Sequence, residues 1–260
     1  MKERIQKSLA NAGVASRRNV EQLVLEGRVA VNGHIVTELP VLIDPEKDKV
    51  QVDGENIRLA QRRGARRVYL LLNKPKGVYS TNVAQGVQTR AVDLLPPGLP
   101  ERVYPVGRLD AQSKGLLLLT NDGELTHRLT HPRFGVPRTY RAVVDGEVRP
   151  AAISQLEKGI WLADAHTGKT KKSGKSQVRV VKRAADQSIL EITMREGIDP
   201  QVRRILAKLG HKVRDLTRTR FGSLGLEGLA VGKVRPLSPK EVGELKRLAQ
   251  GGGRAESSGF

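Results

Sequence analysis

The sequence predicts an α+β protein: a small N-terminal domain, a basic linker and a larger mixed α/β domain. Three observations carry that expectation. Residues 1–59 read as helix, helix, hairpin and strand; residues 60–67 are half arginine; and from Val68 onward strand-like and helix-like segments interleave. A chain of 260 residues has room for two cores of unequal size.

In the small domain, Ile5, Leu9 and Ala12 recur at helical spacing up to a stop at Gly13. Ser16 caps a second helix, whose Val20, Leu23 and Val24 run to a stop at Gly27. Two short β-runs, Val29–Val31 and Ile35–Val36, flank Asn32-Gly33, a pair that tolerates positive φ and marks a hairpin. Val50–Val52 supplies a final strand. Residues 58–67 hold five arginines and no acid, and place the domain boundary at 60–67.

In the large domain, residues 68–245, strands are expected at Val68–Leu72, Leu116–Thr120, Tyr140–Val144, Val178–Val181 and Ile189–Thr193. Helices are expected at Glu124–Leu129, Ala151–Glu157 and Gln201–Leu209. His166 to Arg183 carries seven basic residues and no acid, and Lys169–Lys175 is Gly/Ser/Lys-rich, which suits an exposed hairpin or loop. Residues 246–260 show no periodicity and are expected to be disordered.

Charge narrows the partner. With 46 basic and 27 acidic side chains the net charge is +19, and the pI is near 10.5. An anionic partner follows, and nucleic acid is the ordinary one. No apolar run approaches the ~20 residues of a membrane helix, and the start, Met1 to Lys7, lacks a secretory signal. A cytoplasmic monomer without membrane contact is expected. Cysteine is absent, which excludes disulfides, thiolate–zinc sites and a cysteine nucleophile. Eight aromatics are too few for a long base-stacking track.

Several apparent motifs fail on inspection. Gly168-Lys169-Thr170 and Gly174-Lys175-Ser176 resemble the end of a phosphate-binding loop, but Ala163 and Lys169 stand where the first glycine is required. His127 and His131 have the spacing of a zinc pair, yet Arg128 replaces the glutamate of a protease site and no third ligand offers itself. No metal and no cofactor is expected.

The informative stretch is Val103-Tyr104-Pro105-Val106-Gly107-Arg108-Leu109-Asp110, followed by Ala111-Gln112-Ser113-Lys114-Gly115 and the run Leu116 to Thr120. By itself Asp110 is a turn aspartate between two strands, and such residues usually hydrogen-bond their own backbone. The string, continued by Asn121-Asp122-Gly123-Glu124-Leu125, resembles the active-site motif of the pseudouridine synthases of the RsuA and RluB type. Other segments extend the resemblance: Leu72-Asn73-Lys74-Pro75-Lys76-Gly77-Val78, His131-Pro132 with Pro137-Arg138-Thr139-Tyr140, and Gln201-Val202-Arg203-Arg204-Ile205 with Leu209-Gly210-His211. Residues 2–59, with Ser16-Arg17-Arg18 and Gly27 to Gly33, resemble the S4-type RNA-binding domain.

The resemblance implies the pseudouridine synthase fold, built on a mainly antiparallel sheet, and conversion of uridine to pseudouridine in ribosomal RNA. It implies Asp110 as nucleophile, Arg203 as partner of that carboxylate, and Tyr140 as the ring against which uracil packs, with a possible part in removing the C5 proton. Arg108 matches the residue pushed into the space that an extruded base vacates. A carboxylate suits the reaction, which needs no redox step and no net hydrolysis. Attack at ribose C1′, attack at uracil C6 and assisted elimination all fit a carboxylate there.

Each residue also has an ordinary structural reading: a core tyrosine for Tyr140, a salt-bridged arginine for Arg108, an exposed helix cation for Arg203. Arg204 lies about 100° round the same helix and faces elsewhere. Three departures stand out: Ser113 for threonine, Arg138 for lysine, and Gly197-Ile198-Asp199-Pro200 where basic or polar residues are usual, which removes phosphate contacts.

Arg17, Arg18 and Arg28 are candidate RNA contacts of the small domain, and Arg62 and Arg63 of the linker. A purely RNA-binding ribosome-assembly protein would satisfy the charge and the small domain, but it has no need of Asp110, Tyr140 and Arg203 together. Between rRNA targets, the arginine-rich linker and basic tail favour the large subunit (RluB type) over the small (RsuA type).

Overall fold

The computed structural model describes residues 2–59, 66–83, 86–163, 170–195 and 199–251. Arg62, Arg63, Lys169, Gly197, Ile198 and residues 252–260 lie outside the described residues. The chain divides into two compact units, Met1–Arg66 and Arg67–Phe260.

The first unit comprises β1 (Glu3–Arg4), α1 (Ile5–Asn11), α2 (Arg17–Leu25), β2 (Val29–Val31), β3 (His34–Val36), β4 (Leu42–Ile43), β5 (Val50–Val52) and β6 (Glu55–Ile57). Ser16 opens α2: its Oγ accepts the Asn19 N–H at 3.2 Å. Gly27, at φ +68°, closes it by donating to Val24 O while Arg28 N–H reaches Leu23 O, the paired bonds of a Schellman stop. Asn32 and Gly33 both take positive φ and turn β2 into β3. A second turn of the same kind at Asp53-Gly54 adds β6, which the sequence reading did not foresee, giving the order β3-β2-β5-β6. Ile5, Leu9, Val20, Val24, Val29 and Ile43 are fully buried beneath it.

The second unit runs β7 (Tyr69–Lys74), β8 (Tyr104–Pro105), β9 (Lys114–Thr120), α3 (Gly123–Thr130), β10 (Arg138–Asp145), α4 (Pro150–Lys158), β11 (Trp161–Ala163) and β12 (Thr170–Lys172). It continues through β13 (Ser176–Arg183), β14 (Gln187–Met194), α5 (Asp199–Lys208), β15 (Val213–Phe221), β16 (Leu224–Gly225), β17 (Val234–Pro236) and α6 (Pro239–Gly251). A nine-stranded sheet has the order β13-β14-β10-β15-β9-β7-β17, with β8 on β9 and β16 on β15. Among the described residues every pairing in it is antiparallel except β9 with β15. The mainly antiparallel α+β expectation holds.

The unbroken run Leu116 to Leu119 reads as one hydrophobic block because both faces of β9 are covered. Leu117 and Leu119 join the core with Leu156 of α4 and Val202, Ile205 and Leu206 of α5. Leu116 and Leu118 face the other way, onto Leu125 and Leu129 of α3 and Leu245 and Ala249 of α6. Each such leucine contributes about 1.5–3 kcal/mol of burial.

The structure corrects the reading of the C-terminus. Residues 246–251, expected in a disordered tail, complete α6, and Leu245 and Ala249 are wholly buried. Ser238 and Glu241 cap the helix reciprocally: Ser238 N–H donates to Glu241 Oε2 at 2.8 Å and Glu241 N–H to Ser238 Oγ at 3.3 Å. Arg235 of β17 grips the same carboxylate at 2.7 and 3.0 Å. That guanidinium, against the opposing effect of burial, holds the Glu241 carboxyl down at about 2.

A depressed folded pKa contributes stability above the unfolded value, about 4.3, and loses it as pH falls toward 2. Glu241→Gln is therefore expected to cost about 1–2 kcal/mol at pH 7, allowing for solvent screening. The gap from wild type should close between pH 4 and 2 in melting curves recorded across that range.

Candidate active site

Asp110 stands, partly exposed, on a turn that follows β8 and leads into β9. Its carbonyl accepts the Ser113 N–H at 3.0 Å, closing Asp110–Ser113. Three residues from two distant segments pin this turn. Ser80 Oγ accepts the Leu109 N–H at 3.2 Å and donates to Leu109 O at 2.8 Å. Gly77 N–H donates to Ala111 O at 2.7 Å. From α5, Arg203 Nη2 donates to Gln112 O at 3.0 Å and to Ser113 Oγ at 3.4 Å, while its Nη1 reaches Val213 O. Residues on both sides of Asp110 are thus fixed by side chains or amides from elsewhere in the fold, the condition for holding a reactive group in one geometry.

Helix α5 explains how Arg203 gets there. Val202, Ile205 and Leu206 are its buried face, and Arg203 is carried at the edge of that face toward the turn. Arg204 is exposed and donates to Ala163 O instead, as the helical offset requires. Among the described residues Arg203 Nε is buried without a hydrogen-bond partner.

Tyr140 lies on β10, in register with Ile192 on β14 and Arg218 on β15. It is 1% exposed and shares the core cluster of Leu109, the residue before Asp110. By burial it has the standing of a core tyrosine. Arg108 is exposed, and its carbonyl accepts from Arg218 Nη1 at 3.4 Å.

Arg218 and Lys74 escaped the sequence reading as site residues. Arg218 is 2% exposed in mid-sheet and donates through Nε to Leu116 O at 2.8 Å, so one guanidinium ties the strand after the turn to the segment before it. Lys74 is fully buried and donates to Pro75 O and Val78 O, closing the loop that carries Gly77. A basic residue in an inward position of a strand pattern was the available signal for both.

A model of the RNA pseudouridylate synthases matches residues 68–208, more than half the chain, a span that includes Asp110, Tyr140 and Arg203. The chain belongs to that family. The S4 domain model matches residues 3–45 of the first unit. Over 255 residues the chain is 42% identical to the ribosomal large subunit pseudouridine synthase B of Bacillus subtilis, covering 97% of this chain and 99% of that one. It is also 42% identical over 246 residues, 94% of each chain, to an RNA pseudouridine synthase of Aquifex aeolicus that is described as uncharacterized. A crystal structure of a pseudouridylate synthase superimposes with a TM-score of 0.65 at 27% identity, over 93% of this chain and 99% of that one.

As a pseudouridylate synthase the protein isomerises uridine in RNA, and the resemblance drawn from its motifs holds. Arg17 and Arg18 are exposed in the first turn of α2. Arg28 is exposed but engaged: it pairs with both oxygens of Asp53 at 2.7 Å and with Glu26 at 3.3 Å. A phosphate would have to displace those carboxylates. His127 and His131 meet Phe134 edge-on, with ring centroids 5.9 and 6.2 Å from it and 5.2 Å from each other. Among the described residues no cluster of His, Cys, Asp or Glu is placed to hold a metal.

Proposed function

We propose that the protein is a cytoplasmic, monomeric ribosomal RNA pseudouridine synthase acting on the large subunit, with Asp110 as its nucleophile. The observation that carries the site assignment is the threefold anchoring of the Asp110 turn by Ser80, Gly77 and Arg203. In the reaction the bond from ribose C1′ to uracil N1 breaks, the base turns, C1′ bonds to C5, the C5 proton leaves and N1 gains one. Asp110 supplies the carboxylate, with Arg203, already seated on the turn, as its cationic partner. Tyr140 backs the uracil, and Arg108, exposed two residues ahead, fills the gap left by the extruded nucleotide.

The large-subunit assignment is supported by the Bacillus relative, whose name specifies that subunit. A membrane location has no support: no described helix is long and apolar enough to cross a bilayer. The test is incubation of the protein with large- and small-subunit ribosomal RNA transcripts, followed by pseudouridine detection. Product confined to the large-subunit transcript is expected. Product only in the small-subunit transcript would transfer the assignment, and product in neither would overturn it.

The first unit is assigned affinity and positioning. Residues 1–67 carry 13 basic against 9 acidic side chains, net +4, so bulk charge does not explain RNA binding and the cations must act from one face. Arg17 and Arg18 are the better candidates, since Asp53 already holds Arg28. Deleting residues 1–66 is expected to raise KM strongly and lower kcat little, since uniform binding sets KM. The log–log salt dependence should flatten by about 0.7 for each lost contact to single-stranded phosphate. Steady-state kinetics at several salt concentrations measures both. An unchanged KM would contradict this division of labour.

A further inference from the structure

Lys171 and Lys172, from the basic stretch His166–Arg183, and the chain's single tryptophan lie on one small ribbon, β11 paired with β12. Its register places Trp161 opposite Lys172, Leu162 opposite Lys171 and Ala163 opposite Thr170. Directly opposed residues share a face. Leu162 packs on the core, so its face is the inner one and the Trp161–Lys172 face is the outer one. Trp161 is accordingly 57% exposed, and Lys172, opposite it on the same face, is exposed as well.

The ribbon is clamped rather than free. Ser173 N–H donates to Ile160 O at 2.8 Å and Ile160 N–H to Ser173 Oγ at 2.9 Å, and the backbones at Gly159 and Ser173 approach too closely for any side chain at 159. Lys208 of α5 donates to Trp161 O at 2.7 Å, and Arg204 of the same helix to Ala163 O. One helix therefore holds the ribbon through Arg204 and Lys208 and the Asp110 turn through Arg203.

We propose that Trp161, with Lys172 beside it, is a stacking platform for one unpaired base of the RNA substrate. An exposed flat ring on a clamped backbone, with Lys172 opposite it and no acid in the sequence from 166 to 183, fits a nucleobase and its phosphate. This inference rests on RNA being the substrate and specifies its form: a loop or bulge, with an unpaired nucleotide besides the target uridine. Stacking on a preset ring favours binding equally in ground and transition states, so it acts on KM.

Because Trp161 is the only tryptophan, intrinsic tryptophan fluorescence of the full-length protein reports on this ribbon alone. The probes are a single-stranded oligoadenylate, which has no uridine to modify, and a fully paired RNA duplex of the same length. Saturable quenching by the single strand and little by the duplex is expected; equal quenching by both, or none by either, overturns the proposal. On the ribosomal RNA substrate, Trp161→Ala should raise KM about tenfold or more with kcat unchanged, and Trp161→Phe should recover much of the loss. A KM unchanged in Trp161→Ala also overturns it. Quenching without any pseudouridine formation would sustain the platform while removing the ribosomal RNA assignment, so the two readings fail separately.

Discussion

Asp110→Asn is expected to abolish pseudouridine formation, with kcat reduced at least about a thousandfold, while folding and RNA affinity stay near wild type. A thousandfold corresponds to about 4 kcal/mol of transition-state stabilisation, well within what a lost covalent nucleophile costs. The substitution is nearly isosteric. The anchors described for the turn reach Leu109 O and N, Ala111 O, Gln112 O and Ser113 Oγ, none of which is an atom of the Asp110 side chain. The geometry should therefore survive the change, and the loss should appear in kcat rather than in KM. Single-turnover assays with a melting curve on the same sample separate the two. A variant that melts normally and retains near wild-type turnover would remove Asp110 from the chemistry.

The second large effect is structural. Gly115 sits at φ +109° on β9, where the strand runs parallel to β15. A Cβ there would collide with Arg218 O, and would lie 2.9 Å from Arg218 N and 3.0 Å from a Thr217 methyl. Most of these are backbone atoms in mid-sheet and cannot swing aside. Overpacking costs about 1–3 kcal/mol and a strained φ about as much again, so Gly115→Ala should remove roughly 3–5 kcal/mol. That is a large part of the stability of an ordinary domain. Denaturant unfolding of wild type and variant measures it. A loss below about 1 kcal/mol would mean that β9 and β15 can separate without penalty, and that their close approach does not hold the site together.

What was legible in the sequence follows from how local each signal is. Ser16, Gly27 and Asn32-Gly33 act through backbone bonds a few residues away, and the helix, stop and hairpin they mark are all present. The leucine run of β9 was equally plain because both faces are buried. Strand β15 was missed for the opposite reason. Its apolar residues are only Val213, Leu216 and Phe221, and an arginine, Arg218, takes an inward position that alternation reserves for a hydrophobe.

The end of the chain was a different failure. Ser238-Pro239-Lys240-Glu241 is a capping box with proline at the first turn, and Val242, Leu245 and Ala249 follow at helical spacing. The glycines after it hid that signal. In the site, Asp110 and Arg203 are 93 positions apart, and no periodicity links them. That Arg203 reaches the Asp110 turn was suggested only by the family motifs, and the tie that Arg218 makes between Arg108 and Leu116 became plain only in the fold.

Pseudouridine made in large-subunit ribosomal RNA through Asp110 leaves a trace in the cell. The most direct measurement is a pseudouridine map of total ribosomal RNA from cells that carry the gene, lack it, or carry only Asp110→Asn. One or a few large-subunit positions are expected to be modified in the first and unmodified in the other two. Identical maps in all three, or modification restored by Asp110→Asn, would contradict that expectation.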